Sequence, residues 1–149
     1  MLDKLFSSFR KNDTEEEPQS PLPQAVAALL VEAARGDEDY TEKEKSFITH
    51  MLSAQFGLDA AEALALREKA ETLQAEANDL YSFSRVVKEG LDREEKIKLI
   101  EDMWVIALSD DDKAPYEEMI IRRLIGLIHL EDTDSAGARQ RAQARLAGV

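Results

Sequence analysis

Four carboxylates are the residues of this chain whose type and spacing suit chemistry. Asp37 is followed seven positions later by Glu44, and Asp110 is followed seven positions later by Glu117. The two pairs lie 73 positions apart, and the same offset carries Ala34 onto Ala107. Acidic side chains gathered on a turn offer hard oxygen donors, the kind that Ca²⁺ or Mg²⁺ takes. Two such turns in one small domain can converge on a single site.

The EF-hand arrangement is excluded. Counted from Asp110, its ligand positions hold Asp110, Asp112, Ala114, Tyr116 and Glu118, with Ile121 where the bidentate Glu belongs. Counted from Asp37, they hold Lys43 and Lys45 and close on Ile48; neither loop has glycine at its sixth position. Two readings of the four carboxylates remain. In one, Asp37, Glu44, Asp110 and Glu117 hold a divalent cation. In the other they only shape the chain. Thr41-Glu42-Lys43-Glu44 is a capping box, with Glu44 reaching back to the Thr41 N–H. Glu117 stands at the matching place, where a carboxylate favours the helix dipole. Asp37 and Asp110 are then ordinary turn formers.

Other chemistry is thin. With no cysteine there is no thiolate nucleophile, disulfide or zinc–thiolate site. His50 and His129 read as surface or packing residues. The chain has neither a nucleophile-elbow signature nor a glycine-rich phosphate loop. Trp104 aligns with Val31 on an apolar face and reads as core. Catalysis by paired carboxylates needs a cleft and a raised acid pKa, so a non-enzyme with no catalytic residue is the expectation.

The elements that must position these residues all read as helices. Val26, Leu29, Leu30 and Ala33 make one helical face over residues 22–35. The helix capped by Thr41 runs through Phe47, Ile48, Met51 and Leu52 to about Phe56, and Gly57 closes it. Asp59 and Glu62 form a second box, opening a long Ala/Leu/Glu helix. Asp79 caps a shorter helix that ends at Gly90. Asp92 and Glu95 open a helix with Ile97, Ile100, Trp104 and Leu108. Pro115 suits the first position of the next, whose apolar face is Ile120, Ile121, Leu124, Leu127 and Ile128. A turn over 129–133 leads to a final helix starting at Asp134 or Ser135. No useful stretch alternates with period two. The fold class is all-α, a single compact bundle of about seven helices with two repeated helix–turn–helix units.

Residues 1–21 read as an amphipathic arm and linker, and residues 22–149 as the domain. Leu2, Leu5, Phe6 and Phe9 share one face of the arm, with Lys4, Arg10 and Lys11 among its polar residues. Such an arm touches a membrane or a partner, or it docks weakly on its own domain or frays. Glu15, Glu16 and Glu17 with Pro18, Pro21 and Pro23 mark the linker. The net charge of −12 disfavours nucleic acid and anionic lipid. A basic patch can still form locally, for example from Arg139, Arg141 and Arg145. No apolar run approaches the roughly 20 residues of a membrane span, and no signal-peptide pattern opens the chain, so a cytoplasmic protein is expected.

The duplicated pattern over residues 34–52 and 107–125 resembles the TerB-like domain of tellurite-resistance proteins, a relative of which begins some membrane-anchored DnaJ-type co-chaperones. The second match continues through Ile121-Arg122-Arg123-Leu124-Ile125 and His129-Leu130-Glu131-Asp132-Thr133-Asp134. The likeness covers roughly residues 22–147. It implies a bundle of about seven helices around two pseudo-symmetric pairs, in a bacterial cytoplasmic protein tied to tellurite or general stress response. It also implies a metal held by Asp37, Glu44, Asp110 and Glu117. This chain has Asp37-Glu38 and Asp110-Asp111 where the family usually has Asp-Gly, a change that bears on the tightness of the turn. The expected function is a non-enzymatic sensing or interaction module with a protein partner, which holds a divalent cation, Ca²⁺ or Mg²⁺. The alternative is an acidic helical adaptor with no metal site.

Overall fold

The computed structural model describes residues 21–35, 40–109 and 114–148. Asp37 and Asp110 lie outside the described residues, as do the arm and nearly all of the linker. Seven helices follow one another: α1 (Pro21–Arg35), α2 (Glu42–Phe56), α3 (Ala60–Glu76), α4 (Tyr81–Gly90), α5 (Arg93–Leu108), α6 (Ala114–Leu127) and α7 (Asp132–Ala147). There is no strand among the described residues.

Local chemistry starts three of these helices where the sequence places the starts. Thr41, Asp59 and Asp92 each accept the N–H three residues on, and Glu44, Glu62 and Glu95 return the bond to the cap N–H. Each box thereby satisfies two of the N–H groups that a helix start leaves open. Two starts differ from expectation. Asp79 accepts the Tyr81 N–H at 2.9 Å, but Leu80 is the residue that precedes α4. The last helix begins at Asp132, two residues early, because the Asp134 carboxylate takes the Glu131 N–H at 2.9 Å from within its first turn.

Two helices make the core. α1 buries far more than the single face predicted: every residue from Ala25 to Val31 is at most 2% exposed, and Ala33 and Ala34 are buried too. A helix apolar all round belongs inside, and its alanines let neighbours approach closely. Helices α2, α3, α4, α5 and α6 all touch it. In α5, the nine residues from Leu99 to Ala107 are buried. Trp104 packs there as expected, 8% exposed, with its indole N–H given to Ser135 Oγ at 3.1 Å.

The repeat is longer than two helices. The 73-residue offset carries α1 onto α5 and α2 onto α6, and it also carries α3 onto α7. In each unit the third helix packs against the first, and the residues it buries are small: Ala63 and Ala70 of α3, Ala138 and Ala142 of α7. Helix α4 joins the two units.

Candidate functional site

Glu44 occupies the third position of α2, where its Oε1 accepts the Thr41 N–H at 3.0 Å. It is 1% exposed. Glu117 sits in the first turn of α6 and is 0% exposed. The matching glutamates of the Asp59 and Asp92 boxes, Glu62 and Glu95, face solvent. So the two glutamates that follow the acidic turns are buried, while two that fill the same capping role as Glu44 are not. Asp37 and Asp110 lie outside the described residues, as do Glu38 and Asp111. Among the described residues no three His, Asp or Glu side chains come together as a ligand group.

A polar network anchored on the last turn of α1 reaches the chain neighbours of both glutamates. Tyr116, next to Glu117, gives its hydroxyl proton to Glu32 Oε2 at 2.9 Å. Gln74 Nε2 donates to the other oxygen of Glu32 at 2.7 Å, while its Oε1 accepts from Arg35 at 2.6 Å. Arg35 lies 5.2 Å from the centre of the Tyr40 ring, and Lys45, next to Glu44, lies 5.0 Å from it. The Tyr40 hydroxyl donates to Glu71 Oε2 at 2.6 Å, and that oxygen also accepts from Arg67 Nε at 3.0 Å. Arg67 reaches on to Thr49 Oγ1 at 2.9 Å. One polar network therefore runs from the residue after the first acidic turn, through α1 and α3, to the helix after the second. Its electrostatics follow. Burial, then the bond to Glu71 and its charge, push the Tyr40 hydroxyl well above its usual range. Burial, then Glu32, push Tyr116 up to about 12.

Sequence reading missed this network because all but one of its hydrogen bonds join residues 18 to 84 positions apart. One local signal was present: Arg67, Glu71 and Gln74 recur at helical spacing as a polar stripe on α3.

The three arginines singled out as a local basic patch form none. Arg141 Nε bonds Glu101 at 2.9 Å, and Arg145 bridges Glu101 at 3.0 Å and Asp102 at 2.8 Å. Arg139 lies 5.0 Å from the centre of the Trp104 ring and 3.7 Å from Glu118. Burial raises the Glu101 carboxyl, but the two guanidiniums outweigh it and hold the group below its usual range. Arg141 and Arg145 therefore fasten α7 to α5. Lys98 adds to the cluster through Asp102 at 3.1 Å. His50 and His129 are exposed, as the sequence suggested.

No helix of the described residues is long and apolar enough to cross a membrane. Residues 23–140 match the family described as Tellurite resistance protein TerB. No curated protein and no solved structure matches the chain. The matched stretch takes in α2 to α6 whole, most of α1 and both acidic turns, and it covers most of the sequence. The seven-helix bundle and this match together make the chain a member of the TerB family.

Proposed function

We propose that this TerB-family domain binds a divalent cation, Ca²⁺ or Mg²⁺, through its duplicated acidic turns. It then serves as a non-enzymatic sensing or interaction module in bacterial tellurite or general stress resistance. The observation that carries the reading is the burial of Glu44 and Glu117 beside those turns, against the exposure of Glu62 and Glu95. Capping alone does not call for burial, and both buried carboxylates stand in the first turn of the helix that follows an acidic turn. Carboxylate oxygens are the donors that a hard cation prefers. Asp37 and Asp110 are the primary ligands in this reading, and Glu44 and Glu117 complete the set. The tie to tellurite rests on the family's description, and growth of a deletion strain on tellurite tests it.

The competing reading, an acidic adaptor that docks a protein partner without metal, is favoured by one observation. The Thr41–Glu44 box is complete at 3.0 and 3.1 Å, which gives Glu44 a structural task of its own. The melting temperature of metal-stripped protein separates the two. With millimolar Ca²⁺, Mg²⁺, Mn²⁺ or Zn²⁺ the metal reading expects a saturable rise. At a hundredfold excess over Kd the gain is about 2.7 kcal/mol. Replacing both Asp37 and Asp110 by alanine removes that rise. Under the adaptor reading no ion shifts the transition, and each substitution costs at most a cap's worth, about 1 kcal/mol.

A further inference from the structure

The α2–α5–α7 face holds a cleft of about 380 Å³ that the metal reading does not use. Its size falls in the range of ligand clefts, roughly 300–1,000 Å³. Phe47 and Met51 of α2, Val105 of α5 and Leu146 of α7 give it an apolar floor, and Lys98 and Arg145 stand at its edge. Met51 and Val105 are buried, whereas Phe47 and Leu146 are only half-covered by the rest of the bundle. We propose that this cleft receives the chain's own N-terminal arm, through Leu2, Leu5, Phe6 and Phe9.

Three observations support that occupant over others. The first is pattern: the four side chains recur at i, i+3, i+4 and i+7, one apolar face of a helix, on a segment outside the described residues. The second is reach. Leu22, near the start of α1, packs over Gly90, where an added Cβ would come within 3.0 Å of it. From Gly90 to Lys98 is two residues of connection and the first turn and a half of α5, under about 20 Å. The nine residues 12–20 extend to about 30 Å, so the arm reaches the cleft without strain. The third is charge. Lys4, Arg10 and Lys11 against Asp3 leave the arm at +2, so the rest of the chain carries −14 of the total −12. The charged side chains at the cleft edge, Lys98 and Arg145, are cations, and docking lets linker acids such as Glu15 to Glu17 pass near Lys98.

Because the chain has no cysteine, a spin label can be placed at one position of the full-length protein. Ala54 lines the cleft and is exposed. A label at Ala54→Cys is expected to erase the amide signals of residues 2–9. The same label at Ser82→Cys, on α4, which lines no part of the cleft, should leave them intact. Replacing Phe6 and Phe9 by aspartate should restore the signals; both residues precede the first described helix, so the bundle's own helices are unaltered. Intact signals with the Ala54→Cys label would overturn the proposal, as would equal loss from both labels. A third sample mixes labelled chains with isotope-enriched unlabelled ones. Signal loss there would assign the cleft to the arm of a second copy and overturn docking within one chain.

Discussion

Tyr116 and Tyr40 each hand a hydroxyl proton to a carboxylate, and the consequence is a pH dependence of unusual sign for an acidic protein. A tyrosine whose folded pKa lies above its unfolded value of 10.0 is held neutral by the fold. Its contribution is fully present below pH 10 and is lost as pH rises towards the folded value, about 12 for Tyr116. Tyr116→Phe should therefore flatten the fall in stability between those two values, as read by urea unfolding at a series of pH. Tyr40 remains raised, so the slope shrinks without vanishing. At neutral pH the same variant loses one hydrogen bond and leaves Glu32 with its Gln74 donor, a cost of about 1 kcal/mol. None of this was legible in the sequence. A carboxylate and a hydroxyl 84 positions apart have no shared local signature, and only the packing of α6 against α1 brings them together. The four candidate metal ligands stood out because each pair lies within a single turn and its helix.

At the scale of the element, what was legible was what is local. A capping box spans four residues, so Thr41, Asp59 and Asp92 could be identified as starts and are starts. Gly57, at φ 65°, ends α2 as glycine does in the left-handed region. The equivalent end of α6 could not be read that way, because its left-handed residue is His129 at φ 67°. The hydrogen bonds are those of a Schellman ending: Leu130 N–H to Ile125 O at 3.0 Å and His129 N–H to Gly126 O at 3.4 Å. A side chain in that region costs roughly 1–2 kcal/mol that glycine does not. His129→Gly is therefore expected to raise the melting temperature, with a gain of about 1 kcal/mol that excludes any loss of the exposed imidazole's contacts. A fall in melting temperature would mean the imidazole contributes more than its exposure suggests. Both third helices were read as helices, but that they belong to the repeat was hidden for a related reason. Alanine at 63, 70, 138 and 142 carries too little hydrophobic contrast to mark a face, although those four are the residues that α3 and α7 bury.

At the scale of the whole molecule, the duplicated units do not stand as two folding bodies. Helix α1 begins the first unit, yet it also packs on α5 and α6 of the second and on the α4 connector. Separating the units would expose α1 on sides where Ala27, Ala28, Leu29 and Leu30 are now fully covered. The buried apolar surface is thus shared, and unfolding should be one transition. Leu30 is the probe: it is 0% exposed, and truncation to alanine removes its packing and leaves a cavity, at a cost of about 2–5 kcal/mol. Trp104 reports on the second unit by fluorescence, and far-ultraviolet circular dichroism reports on all the helices together. In Leu30→Ala both signals should move to the same lower midpoint, although Leu30 and Trp104 belong to different units. If the Trp104 midpoint stayed at the wild-type value while the helical signal lost its early half, the units would be folding separately. In that case α1 would be a lid on the second unit, and its all-round burial would no longer explain why the repeat is fused into one core.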